Sequence, residues 1–446
     1  MKKNSFSKKK VALITLGCAK NLVDSEVMTG YLHRAGYGFT DNPEQSDILI
    51  INTCGFIKPA KKEAVTAIKK ASLLKKVNPE LKLIVSGCYV QRNREELKKS
   101  YPEVDVWTGV NAFDRIVELI EIKPFDTSKN CFLYDHRSPR HITTSSIWAY
   151  TKISEGCSHR CSFCAIPLIK GKYRSRTISS IVREVRHLAS AGIREVNLIS
   201  QDSTFYGTDL GMRNGLPLLL EKLVDVPGLE WIRVLYGYPE EISDSLLDIM
   251  QEEKICSYLD LPFQHSSSKI LKTMKRGLPG KKALHLLDKI RTKLPDIALR
   301  TSLIVGFPGE TGRELEDLLD FVREARFDHL GVFVYSREEG TDCFSLGDPV
   351  PEDIKIQRKD AIMRIQAEIS LANNNKYVGK TIDVLIEGPL KADPTVFVGR
   401  GRFQAPEVDG LVFIEKENGE LSMMEPFQKV EITNRDVYDL YGKQKE

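Results

Sequence analysis

The chain has 446 residues, 41% of them hydrophobic and 28% charged, which is enough apolar material for two or three ordinary cores. No stretch is long and apolar enough to cross a bilayer as a helix. Nine cysteines spread through so long a chain exclude the disulfide framework of a small secreted domain and fit free thiols in a reducing cytoplasm, while the net charge of +4 is modest.

Five of the first ten residues are lysine, which reads as a solvated tail. The opening "MKKNSFSKKKVALITLGC" has the outline of a secretion signal, but Val11 to Leu16 is an apolar run of only six residues, shorter than a signal requires. It reads as a strand entering the helical "NLVDSEVMTGYLHRAG". "KVALITLGC", "DILIINTCG" and "KLIVSGC" are each β-branched and each followed by a helical pattern, so a parallel sheet is expected. Cys18, Cys54 and Cys88 end these runs, at separations of 36 and 34 residues. Ligands of open parallel sheets gather outside the strand C-termini, so three such cysteines can converge on one point. Glycines 17, 55 and 87 beside them allow tight turns. One cysteine after a strand is usually packing; three in equivalent places favour a metal cluster.

The first pattern breaks near "KPFDTSKN", and a second series begins near Ser146. Strands are expected at "IWAYTKIS", "REVNLIS", "WIRVLY", "CSYLDLP", "IALRTSLIVG" and "HLGVFVY", with helical stretches such as "SSIVREVRHLASAG" and "GRELEDLLDFVREAR" between them. Six strand–helix units in about 190 residues are too few for an eight-unit barrel and suit an open, partial one with its active face at the strand C-termini. After the first strand, "SEGCSHRCSFCAIP" sets Cys157, Cys161 and Cys164 at spacings of four and three. Structural zinc normally takes four protein ligands, and no fourth completes this set; His159 lies inside the loop. An iron–sulfur cube on three thiolates keeps one iron open to a ligand, which makes it a reaction centre. Cys131, Cys256 and Cys343 are isolated and read as packing.

Beyond the helical "DIKIQRKDAIMRIQAEISLANNNKY", the short strands "KTIDVLIEG", "TVFVGRGRFQ", "GLVFIE" and "QKVEITNRDVYDLYG" suggest a small antiparallel barrel. From Asn375 onward, 10 basic residues face 13 acidic ones, whereas the rest of the chain carries 55 against 48. An acidic module is a poor match to a phosphate backbone.

"LGCAKNLVDSE", "INTCGFI" and "SEGCSHRCSFCAIP", with Phe163 before the last cysteine, resemble the radical S-adenosylmethionine (SAM) methylthiotransferases over essentially the whole chain. The resemblance implies an α/β fold in three parts: an N-terminal parallel α/β domain over residues 1–138, a partial (β/α)6 radical SAM barrel over 139–374, and a small OB-like TRAM β-barrel over 375–446. It implies two 4Fe-4S clusters, on Cys18, Cys54 and Cys88 and on Cys157, Cys161 and Cys164. The second would chelate SAM and cleave it to a carbon radical, and the first would carry the incoming sulfur, with a second SAM giving the methyl group. "LIVGFPGET", with Gly306 and Glu310, resembles the stretch beside the adenosyl group; Gln264 is placed for the ribose or methionyl part. Phe163, Gln201 and Tyr335 complete the expected cofactor-binding set; no catalytic side chain is assigned. "LISQDSTFYG", "RFQAPEVDG" and "YDLYG" resemble the branch that modifies an aspartate of small-subunit ribosomal protein S-twelve, and the acidic last module agrees with a protein substrate. An electron donor such as flavodoxin or ferredoxin and a cytoplasmic location are implied as well. The rival readings are a tRNA adenosine methylthiotransferase and a non-catalytic iron–sulfur protein that docks on ribosomes.

Overall fold

The computed structural model describes residues 9–121, 132–415 and 425–445, so Cys131 and most of the lysine-rich start lie outside the described residues. Strands β1 (Lys10–Thr15), β2 (Gly38–Phe39), β3 (Ile48–Thr53), β4 (Lys82–Gly87) and β5 (Val106–Thr108) form one parallel sheet in the order β2-β1-β3-β4-β5. β3 is buried along its whole length, as expected of a continuous β-branched run in the middle of a sheet covered on both faces. Its two faces are packed by separate apolar clusters, one around Met28, Leu32 and Ile50 and the other around Ala64, Ile68 and Leu83. Three helices return the chain over the sheet: α1 (Ala19–Arg34), α2 (Lys58–Val77) and α3 (Cys88–Ser100). The edge strands β2 and β5 have two and three residues and carry too little alternation to be foreseen.

The second unit has six parallel strands in chain order. β6 (Trp148–Lys152), β9 (Glu195–Ile199) and β10 (Trp231–Val234) form one sheet, and β11 (Tyr258–Asp260), β12 (Ala298–Val305) and β13 (His329–Val334) form another. A bridge between Ile232 and Ile255 joins the two into a half-open barrel. Alternate side chains divide between two cores. Ala149, Val196, Leu198, Ile232 and Leu259 pack under the outer helices, while Trp148, Tyr150, Trp231 and Tyr258 fill the lumen. A small antiparallel hairpin, β7 (Ser154–Glu155) with β8 (Arg174–Ser175), brackets the cysteine loop.

After a long helix (Glu352–Asn374), strands β14 (Thr381–Leu390), β15 (Asp393–Arg400), β16 (Val412–Glu415), β17 (Phe427–Arg435) and β18 (Leu440–Gln444) close a barrel in the order β14-β15-β16-β18-β17. It is antiparallel except for the β16–β18 pair. The last expected strand is two, because a turn closed by the Asp436 amide on the Asp439 carbonyl (2.8 Å) divides it. This barrel packs on the first residues of the six-stranded unit. Arg400 pairs with Glu195 at 2.5 Å, Asp409 accepts from the Tyr258 hydroxyl at 2.7 Å, and His329 bonds the Phe403 carbonyl at 2.7 Å. The third unit therefore closes the end of the barrel opposite the cysteine loops.

Candidate functional site

Cys18 precedes α1, Cys54 follows β3, and Cys88 opens α3 directly after β4. Gly17 has φ +94°, and a Cβ there would stand 2.6 Å from the Cβ of Cys54 and 3.0 Å from its Sγ. Only glycine lets the first cysteine loop fold onto the second. One amide then ties the three loops together. Asn21 Nδ2 donates to the carbonyls of Leu16 (3.0 Å) and Thr53 (3.1 Å), and its Oδ1 accepts from the Cys88 thiol at 3.5 Å. Burial pushes the Cys54 thiol up to about 11 and the Cys88 thiol higher still, with the Lys170 ammonium opposing both shifts.

The second triplet lies in the loop between the hairpin strands. The Cys157 amide donates to the Gly171 carbonyl at 3.1 Å, and the Cys164 amide closes a turn on the Cys161 carbonyl at 3.1 Å. Arg276 Nη1 is 3.9 Å from Cys161 Sγ, and its guanidinium lies 3.9 Å from the centre of the Tyr238 ring. His159 also stacks on Tyr238, at 3.9 Å, and its Nε2 is 2.5 Å from Asp202 Oδ2. These contacts brace the loop. Burial pushes Cys157 up to about 11 and Cys164 to about 12.

Each triplet thus consists largely of desolvated thiols with one cation at hand, a donor set suited to ionise on binding a cationic metal centre. Among the described residues, no three His, Cys, Asp or Glu side chains are grouped so as to hold a single metal ion. A cube asks for one thiolate on each of three separate irons, and two sets of three cysteines on adjoining loops fit that demand.

The segments that carry the two triplets share a core. Ala165 and Ile169, which follow Cys164, are buried in the same apolar cluster as Cys88. Lys170 ends this segment, 3.0 Å from Asp24 of α1 and 3.4 Å from Glu155. Lys152 bonds the other oxygens of both acids, lying 2.5 Å from Glu155 Oε2. Two buried acids and two buried lysines so lock the first unit onto the second. Close by, the Lys20 ammonium lies 3.0 Å from the centre of the Tyr236 ring, and burial pushes it down to about 8. Tyr236 itself has φ +62°, held by its amide on Asp260 Oδ2 at 3.2 Å.

The expected cofactor-binding residues divide into three groups. Gln201 and Gln264 stand half-buried at strand ends. Gln201 Nε2 donates to Glu155 at 3.1 Å while its Oε1 is buried without a partner, and Gln264, at φ +72°, bridges to β12 through Ser302 (2.9 Å) and Ile304 (2.7 Å). Gly306, at φ +72°, begins a loop fastened by Glu310. Both carboxylate oxygens accept from the Gly306 amide at 3.0 Å, Arg358 donates at 2.6 Å, and His265 Nε2 is 3.4 Å away. The Glu310 carboxylate is therefore turned inward, shaping the loop rather than facing the open site. Tyr335 is packed within an apolar cluster at the end of β13. It is 3% exposed, edge-on to Phe307, and its hydroxyl bonds Cys343 Sγ at 3.2 Å; Phe163 packs against the same cluster. Cys256 and Cys343 are buried, as packing cysteines should be.

Sequence reasoning passed over Lys20, Asn21, Asp24, Glu155, Lys170, Tyr236, Tyr238 and Arg276. Proximity in sequence to Cys18 would have found the first two. The strand-end rule that picked Gln201 would have found the two tyrosines.

Residues 10–109 match the uncharacterized protein family UPF0004, residues 151–322 the radical SAM superfamily and residues 378–444 the TRAM domain. The chain is 44% identical over 446 residues to the ribosomal protein uS12 methylthiotransferase RimO of Pelobacter propionicus, covering 98% of each chain. The protein of that name from Clostridioides difficile is 44% identical (97% of this chain, 98% of the other), and that from Aquifex aeolicus 43% (98% of each). Among solved structures, the radical SAM methyltransferase TsrM from Kitasatospora setae, with cobalamin and a 4Fe-4S cluster bound, shares the fold. Its TM-score is 0.53 at 14% identity, over 74% of this chain and 76% of TsrM.

Proposed function

We propose that this chain, which belongs to the RimO family of ribosomal protein uS12 methylthiotransferases, adds a methylthio group to the β-carbon of an aspartate in that protein. The observation that supports the reading is that Ala165 and Ile169, which follow Cys164, share an apolar cluster with Cys88, so the segments carrying the two thiol triplets belong to one core. One cluster suffices to generate a radical; two triplets suit a reaction that also delivers sulfur.

Cys157, Cys161 and Cys164 would hold one 4Fe-4S cluster and Cys18, Cys54 and Cys88 another. When bound, the clusters and SAM supply a radical able to take hydrogen from an unactivated carbon, together with the sulfur and methyl to be placed there. The protein's own part is placement and exclusion. Gly17 and Asn21 draw three strand ends together, Arg276 offsets thiolate charge at Cys161, and the Asp24–Lys152–Glu155–Lys170 network seals the seam between the units. Gly306 and Glu310 set the loop expected beside the adenosyl group. The three units would divide the work at about residues 138 and 374, with the last recognising the basic substrate. A small reductant such as flavodoxin or ferredoxin would supply electrons.

Mass spectrometry of uS12 and of bulk tRNA, from cells with and without this protein, tests the reading. Loss of a methylthio mass from uS12 alone is expected; loss from tRNA alone would replace the substrate, and loss from neither would leave a non-catalytic role.

A further inference from the structure

Among the buried or half-buried cations Lys20, Lys152, Lys170, Arg276 and Arg300, four have anionic partners. Lys152 and Lys170 share Asp24 and Glu155, Arg300 pairs with Asp260 (3.2 Å) and Asp409 (3.4 Å), and Arg276 faces Glu240 at 3.7 Å. Lys20 is the exception. It is 9% exposed, and among the described residues it makes no hydrogen bond or ion pair; its ammonium lies over the Tyr236 ring, and Cys18, Asp260 and Glu155 act on it only at longer range.

A buried ammonium left unpaired is costly, and an aromatic face offsets only part of that cost. Such a group is kept where an anion arrives during function. Lys20 stands two residues from Cys18, beside the end of β10, so the anion belongs where the substrate meets the sulfur-carrying site. One uncommitted charge suits one carboxylate. A neutral nucleobase inserted there would leave the ammonium unpaired.

We propose that Lys20 receives the side-chain carboxylate of the substrate's acidic residue and so selects that residue and orients the carbon beside it. This rests on the uS12 reading above. Selection follows from the asymmetry of buried polar pairs: a ligand with a neutral amide in place of the carboxylate leaves the ammonium without its counter-ion.

The test uses full-length, anaerobically reconstituted enzyme and a uS12-derived peptide spanning the modified aspartate, compared with the same peptide carrying asparagine there. Wild type should bind the aspartate peptide at least about tenfold more tightly, the scale of a charged hydrogen bond. Lys20→Met should erase that preference, Lys20→Arg should retain part of it, and the affinity of Lys20→Met for SAM should equal that of wild type. Equal binding of both peptides by wild type would overturn the proposal, and needs no variant to fold or to load iron. Undiminished discrimination by Lys20→Met would overturn it too. Loss of SAM affinity in that variant would assign Lys20 to the methionyl carboxylate instead. Failure of wild type to bind or modify uS12 would sink the parent reading and this one with it.

Discussion

Asp24 of the first unit accepts a hydrogen bond at 3.0 Å from Lys170, the residue that ends the short helix after Cys164. That bond belongs to a buried set of two acids and two lysines, so removing one member leaves an uncompensated charge. Truncating one partner of a buried pair typically costs about 3–5 kcal/mol. Asp24→Asn should therefore lower the thermal midpoint and open the seam between the units, read as faster amide exchange around Ile166–Lys170. Asp24→Asn combined with Lys170→Met should cost less than the sum of the two single changes. Simple additivity would mean that the network does not act as a unit.

Gly17→Ala should remove one cluster and spare the other. The new Cβ would overlap Cys54, and φ +94° strains any residue with a side chain. Iron per chain should fall from about eight to about four after reconstitution, as expected for two four-iron clusters. Gly36→Ala is the control: its φ of +90° brings the same strain with nothing within 4 Å of the new Cβ. If both variants lose iron equally, strain and not the contact with Cys54 is responsible.

If the proposed assignment holds, replacing Cys157, Cys161 and Cys164 by Ala should leave about four irons and abolish reductive SAM cleavage, since it removes all three proposed thiolate ligands of that cluster. Replacing Cys18, Cys54 and Cys88 should also leave about four irons and abolish the methylthio product while SAM cleavage continues. Those residues sit on another sheet, so the first cluster does not need them to form. Full product formation in the second variant would reduce the first unit to a structural role.

What the sequence made legible was whatever repeats or alternates. All six strands of the partial barrel and the three long strands of the first sheet carry their own apolar pattern, and Cys18, Cys54 and Cys88 mark the same place on three strands. Edge strands of two or three residues carry no such pattern. The side chains that hold the cysteine loops were hidden for another reason. Asp24 and Lys170 act through partners 128 and 146 residues away, and spacing along the chain says nothing of such pairs; Asn21 lies three residues from Cys18, but its bond to Thr53, 32 residues on, is equally silent in the sequence. Tyr335 follows a strand as Gln201 does, yet its hydroxyl bonds Cys343 within an apolar cluster, a contact that position after a strand does not announce.

Glu310 predicts a pH dependence. Burial alone would raise its carboxyl, yet the nearby His265 ring, the hydrogen bond from the Gly306 amide and the Arg358 guanidinium outweigh burial and hold it below the ordinary value of 4.5. A depressed carboxyl stabilises the fold fully above its unfolded value, and that contribution is lost as pH falls through the folded one. Glu310→Gln should be less stable near neutrality by about 1.5–3 kcal/mol, the scale of hydrogen bonds to a charged group. The gap in thermal midpoint between wild type and variant should narrow as pH drops below 4.5. A gap that stays constant down to acid pH would show that the loop does not depend on the charge.

The last barrel bears on substrate choice, and its packing decides how to test it. Arg400 is wholly buried against Glu195, and Leu385 and Ala405 share a core with Trp231 and Tyr258 of the six-stranded unit. Truncation near Asn375 would expose that core and strip Glu195 of a partner, so loss of activity in such a variant would say little about recognition. Reversing exposed acids is the better probe. Asp393, Glu415 and Glu431 lie on its outer surface. Changing all three to Lys should leave both clusters and SAM cleavage intact and weaken modification of uS12, a protein basic enough to sit among RNA phosphates. The loss should be largest at low ionic strength, because screening cuts the reach of surface charges to about 8 Å at physiological salt. The barrel closes the end opposite the cysteine loops, so a substrate segment that reaches the cysteines must run along the side of the partial barrel to touch it as well. If triple reversal and added salt both leave uS12 modification unchanged, recognition belongs to the first two units. If the wild-type protein instead binds tRNA tightly and uS12 not at all, the substrate assignment itself is overturned.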